Sequence, residues 1–158
     1  MTNKPDIKFN DWDGNEYDLP EGRTYCWRPS AYAAIVNDNK LLCIKPSWID
    51  RWELPGGEIE LHESPLETVV REVYEETGYS VKCVDETPIY LTHNFFYIKP
   101  NDSYCHSIQM VFDAELIDMS QKIGHIDSYE VKETKWIDIN TLENYNLHPL
   151  IKKIIKKL

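Results

Sequence analysis

The sequence predicts a mixed α/β sandwich, a sheet with helices packed on it, and three observations carry that reading. Short runs rich in β-branched and aromatic residues recur along the chain, bounded by Asn, Asp, Ser, Gly or Pro. Among them lies one well-punctuated helical segment, from about Pro65 to Thr77. A second helical pattern, apolar on one side and basic on the other, follows His148-Pro149. With 158 residues and no repeat, low-complexity stretch or linker, the chain reads as one domain over 1–158.

Taken in order, residues 1–25 read as an N-terminal extension shaped as a β-hairpin, with Ile7 to Phe9 and Glu16 to Leu19 around Asp13-Gly14. Ala31 to Val36 and Leu41 to Ile44 flank the turn Asn37-Asp38-Asn39-Lys40, a second hairpin. Further strands are expected at Val81 to Val84, Ile89 to Tyr97, Ser107 to Leu116 and Val131 to Ile137, with a loop through Lys99-Pro100-Asn101-Asp102-Ser103. The central helix has Ser64 as N-cap, Pro65 at its first position, Glu67 to complete a capping box and Gly78 as its stop. In the tail, Leu150, Ile151, Ile154, Ile155 and Leu158 form one stripe, and Lys152, Lys153, Lys156 and Lys157 the other. A basic amphipathic helix can lie on a membrane. At about ten residues, packing on its own domain is the better reading.

Composition narrows the function. No apolar run reaches the roughly 18 residues of a membrane span. The first residues, MTNKPDIKFND, lack the apolar run of a signal peptide. Cys26, Cys43, Cys83 and Cys105 are scattered without a CxxC pair, which favours reduced thiols and a cytoplasmic protein. A net charge of −10 argues against a nucleic-acid polymer as partner, since that surface must be basic. It leaves a phosphate-bearing small molecule open, provided cations bridge the two.

The charge is concentrated. Between Gly57 and Tyr79 there are seven Glu against Arg71 alone, a net −6 within 23 residues. At about 100° per residue, Glu72, Glu75 and Glu76 share one helix face roughly 100° wide, with Leu66, Val69, Val70, Val73 and Tyr74 as the core-facing stripe. Those three carboxylates repel one another and sit in the last turn, where the helix dipole also disfavours anions. A merely solvated face would intersperse lysines, and this segment has none. Divalent cations resolve the repulsion, and oxygen ligands of this kind suit Mg²⁺, with Mn²⁺ as substitute.

The same segment, Gly57, five residues, Glu63, seven residues, then Arg71-Glu72-Val73-Tyr74-Glu75-Glu76-Thr77-Gly78-Tyr79, resembles the Nudix box G-x5-E-x7-R-E-U-x-E-E-x-G-U, where U is bulky and aliphatic. Every charged and glycine position is present, and the departure is Tyr79 at the final packing position. Trp52-Glu53-Leu54-Pro55-Gly56-Gly57 looks like the usual lead-in. The resemblance implies a Nudix α/β/α sandwich with a mixed β-sheet and a C-terminal helix. It implies a pyrophosphohydrolase that cleaves a diphosphate linkage in a nucleoside diphosphate joined to another moiety. Glu72 and Glu76 would be the principal metal ligands, Glu75 a third or water-mediated one, and the Gly56 carbonyl a further oxygen. Arg71 would orient the glutamates and Glu63 would brace the loop-to-helix junction. An acid just before the late strand often completes such sites, and Glu130 occupies that place, whereas Glu133 lies within the strand between lysines.

Around the box, Trp48, Trp52, Tyr97 and Tyr104 are candidates to stack on a base, and Tyr97 and Trp52 are the expected substrate-binding pair; Tyr97 stands 18 residues beyond Tyr79. Substrate determinants are expected near Tyr97 to Tyr104 and Lys122 to Tyr129. A zinc site from Cys105, His106 and His93 is disfavoured because strand neighbours point to opposite faces. A non-catalytic nucleotide sensor would have lost box residues, and an isoprenoid diphosphate isomerase lacks its signature here. The expected partner is a small nucleotide-like substrate, with no membrane, and a homodimer is compatible with the sequence.

Overall fold

The computed structural model describes residues 7–122 and 129–156. Among the described residues, nine strands and two α-helices follow one another as β1 (Lys8–Asn10), β2 (Glu16–Asp18), β3 (Cys26–Asn37), β4 (Lys40–Pro46), β5 (Gly56–Glu58), α1 (Pro65–Thr77), β6 (Val81–Cys83), β7 (Tyr90–Ile98), β8 (Ser103–Leu116), β9 (Val131–Asp138) and α2 (Pro149–Ile154). Among the described residues the sheet runs β2-β1-β7-β8-β3-β4-β9, with β5 paired to β3 and β6 to β8. It is mixed: β3 and β8 run parallel over Cys26–Ile35 and Cys105–Ala114, while β7–β8, β3–β4 and β4–β9 are antiparallel.

Alternation along the central strands divides the core between the helices. Ala31, Ala33 and Ile35 of β3 and Leu42 of β4 pack with Val69 and Val73 of α1. Ala34, Leu41 and Cys43 face Leu150, Ile151 and Ile154 of α2. Successive side chains point to opposite faces of a strand, so one apolar run feeds two layers. This is the α/β/α sandwich that the sequence predicts.

Most elements fall where propensity and punctuation put them. The β3–β4 turn carries Asp38 and Asn39 at φ 47° and 59°, the left-handed pair that a two-residue hairpin demands. In α1, Ser64 Oγ accepts from the Glu67 amide and Glu67 Oε2 accepts from the Ser64 amide at 2.8 Å, a complete capping box. Gly78 ends the helix at φ 73°, its amide donating to the Tyr74 carbonyl.

The differences have local causes. β3 begins five residues before its apolar stretch because β8 pairs with it from Cys26 onward. Strand β5, glycine-rich and unpromising by propensity, exists because β3 lends it partners. The buried stripe of α1 is Thr68, Val69, Val73 and Thr77, and Val70 is exposed. The threonines tolerate burial because their hydroxyls donate to the carbonyls of Ser64 and Val73. Helix α2 is shorter than expected, and Leu158 lies outside the described residues. All four cysteines are free, although Cys26 and Cys105 bring their Sγ atoms to 2.9 Å across β3 and β8. No helix among the described residues is long and apolar enough to cross a membrane.

Candidate active site

A cleft of about 470 Å³ opens where β5 and the last turns of α1 meet the ends of β3, β7 and β8. Two box carboxylates, Glu72 and Glu76, enter it from α1, and Glu130 enters from just before β9. Glu53 and Glu58 complete the acidic wall, and Arg28 and Arg51 are the cationic lining residues. Those arginines are committed, Arg28 to Glu58 at 3.1 Å and Arg51 to Glu53 at 2.6 Å.

Glycine geometry brings the walls together. Gly56 sits at φ +141°, and a Cβ there would collide with the Ala31 carbonyl and the Tyr32 backbone, so β5 can approach β3 only without a side chain. Its amide donates to Glu76 Oε2 at 2.8 Å. A side chain on Gly57 would overlap the Glu72 carboxylate. The two glycines thus let a strand lie against the acidic helix face.

Arg71 is the hub of the outer layer. Its Nε and Nη2 donate to the two oxygens of Glu63 at 2.6 and 2.9 Å, and Nη1 donates to Glu72 Oε1 at 2.9 Å and to Glu75 Oε2 at 3.0 Å. Nη2 also reaches the Glu58 carbonyl. Glu63, held further by Thr68 Oγ1, has its carboxyl lowered to about 2, chiefly by Arg71, while the guanidinium is raised. Arg71 therefore fixes the box loop to the helix and orients Glu72.

Deeper in, the electrostatics reverse. Burial raises Glu72, with Arg71 opposing and Glu75 and Glu130 adding repulsion. Burial raises Glu76 well above the usual carboxylate range, the Gly56 amide opposing, and Glu72, Glu130 and Glu53 push it further. A buried carboxylate facing three others is stable only with a proton or a cation beside it. Among the described residues no three His, Cys, Asp or Glu side chains already converge at metal-binding distance. The donor set is nonetheless carboxylate oxygen throughout, which fits Mg²⁺ or Mn²⁺.

The expected site residues separate. Glu72, Glu76, Glu130 and Gly56 border the cleft, and Arg71 stands behind Glu72. Glu75 does not line it: the carboxylate is exposed on the Arg71 row, so the three-glutamate face splits into two inward groups and one outward. Trp52 is a core residue, buried edge-on to Tyr145 and beneath Lys45 and Lys135, because its strand bridge to Leu147 draws it under the approach to α2. Tyr97 faces away from the cleft, between Tyr17 and Tyr104, with its hydroxyl donating to Asp102. Alternation on β7 decides this, since Asn94, Phe96 and Ile98 line the cleft and 97 must point the other way. Of the expected specificity segment Lys122 to Tyr129, residues 123–128 lie outside the described residues. His93 and His106 do meet, at 3.1 Å, with Cys105 on the opposite face.

Trp12, Arg28, Asn94 and Gln109 also line the cleft, although nothing in the sequence marks them as a group. None belongs to a motif. The available signal was Trp12 itself, a large apolar side chain within an otherwise polar turn.

The Nudix domain profile matches residues 27–158, most of the chain. An ADP-ribose pyrophosphatase of Methanocaldococcus jannaschii is 33% identical over 129 residues, covering 79% of this chain and 70% of that protein. The chain belongs to the Nudix family. A MutT-like protein of Streptomyces ambofaciens is 43% identical over 60 residues, a match that spans 38% of this chain and 39% of that one. In fold, a MutT Nudix hydrolase from Burkholderia pseudomallei superposes with a TM-score of 0.65 at 21% identity, covering 84% of this chain and 98% of its own. Trp12 precedes the matched residues, whereas the box, Glu130 and Trp48 fall within them.

Proposed function

We propose that this Nudix chain is a Mg²⁺-dependent hydrolase that cleaves the phosphoric anhydride bond of a nucleoside diphosphate linked to another moiety. The observation that carries the reading is Glu76: half-buried, bonded by the Gly56 amide, and facing Glu72 and Glu130 across one cleft. Glu72 and Glu76 would hold the divalent cation, with the Gly56 carbonyl and Glu130 as further oxygens. When bound, the cation would neutralise the diphosphate and make an attacking water more acidic. Arg71 orients Glu72, and the apposed carboxylates offer an acceptor for the water's proton, the role of a general base. The Methanocaldococcus relative's name makes ADP-ribose the first compound to try. A cytoplasmic setting belongs to the same reading and agrees with four free cysteines.

The test is phosphate release from a panel of nucleoside diphosphate derivatives, with Mg²⁺ and with excess EDTA. Turnover is expected with Mg²⁺ and none with EDTA. Glu76→Gln and Glu72→Gln should each lower kcat by about 10²-fold or more, and Glu60→Gln by far less. Activity that persists after exhaustive chelation would sink the reading. A panel bound but never hydrolysed would favour the nucleotide-sensor alternative.

A further inference from the structure

The end of the cleft remote from α1 is aromatic, and part of it comes from the N-terminal hairpin. Trp12 and Trp48 stand with ring centroids 6.3 Å apart and planes splayed by 38°, and Phe96 lies 5.8 Å from Trp12. All three line the cleft, and Trp48 is 55% exposed. A flat ring between two others needs two van der Waals spacings, roughly 7 Å. The Trp12–Trp48 wedge is within a small side-chain adjustment of that.

The hairpin is built to hold Trp12 there. Asp11, its neighbour, is buried, and its carboxylate accepts from the amides of Asp13 and Asn15, from the Asn15 side chain and from the Tyr17 hydroxyl. Lys99, just after β7, pairs with the same carboxylate at 2.6 Å and with Asp13 at 3.1 Å. Phe9 anchors β1 against Phe95 and Tyr104. None of these anchors needs the indole of Trp12, so its place over the cleft is not explained by holding the turn together.

Between the aromatic end and the acids lies a polar floor. Asn94 and Arg28 are both register partners of Ser107, which puts one row across β7, β8 and β3, and all three residues line the cleft. Two strand spacings are roughly 10 Å, room for a ribose and its first phosphate. We infer that Trp12 and Trp48 form a stacking clamp for the nucleobase of the substrate, with Asp11 as the residue that positions it. This rests on the hydrolase reading for its substrate and adds that the group recognised is a planar base.

The test is equilibrium binding to the whole chain, followed by tryptophan fluorescence and calorimetry, with AMP, GMP and CMP against ribose 5-phosphate. At least one base-bearing nucleotide is expected to bind tenfold or more tighter than ribose 5-phosphate. Trp12→Ala and Trp48→Ala should each remove about tenfold of that preference, and Trp12→Phe should restore most of it. Ribose 5-phosphate should bind these variants as it binds the wild type. Circular dichroism and melting report folding, and exposed Trp48 is the variant that decides if Trp12→Ala unfolds. No preference for a base, or folded variants that keep it in full, overturns the clamp. Hydrolysis is scored separately on the same proteins. Base-dependent binding without turnover would fail the hydrolase reading alone, and turnover without base preference would fail the clamp alone.

Discussion

At the scale of single residues, burial rather than charge type sorts the glutamates of α1. Glu75 and Glu76 are neighbours in sequence, yet one is exposed on the Arg71 row and the other half-buried against the Gly56 amide. Glu130 and Glu133 are both exposed and separate by position instead, since Glu130 borders the cleft and Glu133 stands on β9 outside it. The Glu130 carbonyl accepts from the Ser47 amide at 2.9 Å, so the backbone is fixed while the carboxylate reaches the cleft. Glu130→Gln should therefore lower kcat by more than about tenfold with little change in melting temperature, and Glu133→Gln should be nearly silent. Steady-state kinetics beside thermal melts decides it, and a silent Glu130→Gln removes that residue from the chemistry.

At the scale of elements, the capping of α1 and the approach of β5 do different work. The Ser64–Glu67 box starts the helix on the side away from the cleft. Ser64→Ala should cost about 1 kcal/mol of stability in denaturant titration and leave kcat near the wild-type value. Gly57 does the opposite job, because any side chain there meets Glu72. Gly57→Ala should keep most of the helix signal by circular dichroism yet lower kcat by about tenfold or more, since it displaces an oriented carboxylate. Equal stability losses with unchanged kcat in both variants would mean that β5 is only scaffolding. The box glycine was legible in the sequence. Its physical reason was not, because the neighbour it makes room for lies 15 positions along the chain.

At the scale of the whole molecule, His148 joins the sheet to α2 and carries a pH dependence. Its Nδ1 accepts from the Leu150 amide as the helix cap, and its backbone amide donates to the Trp52 carbonyl. Burial, helped by Arg51 and Lys153, lowers its pKa from 6.5 to about 4. The folded protein then keeps His148 neutral where the unfolded chain takes up a proton. The two states are matched above pH 6.5, and stability falls as the pH drops from there to about 4, by about 3 kcal/mol in all. His148→Asn keeps a capping side chain and abolishes the titration. Urea unfolding between pH 7 and 4.5 should show a shallower loss for the variant than for the wild type, and parallel curves would refute the assignment.

What the sequence determined by itself is what short-range physics controls. Ser64, Pro65, Glu67 and Gly78 bound α1, Asp38-Asn39 turns β3 into β4, and the spacing from Gly57 to Tyr79 carries the Nudix box. Each depends on groups a few residues apart, whose geometry is set by backbone sterics and local hydrogen bonds. Only the tertiary structure decided that Tyr97 turns away from the cleft, that Trp52 sinks into the core and that Trp12 comes to stand beside Trp48. Strand alternation leaves the choice of face open until a sheet has a core side, and Trp12 meets its partner only through contacts across 36 residues of chain. The glutamates were visible as a cluster, but their division into half-buried and exposed awaited the packing of β5, because desolvation is a property of the assembled cleft.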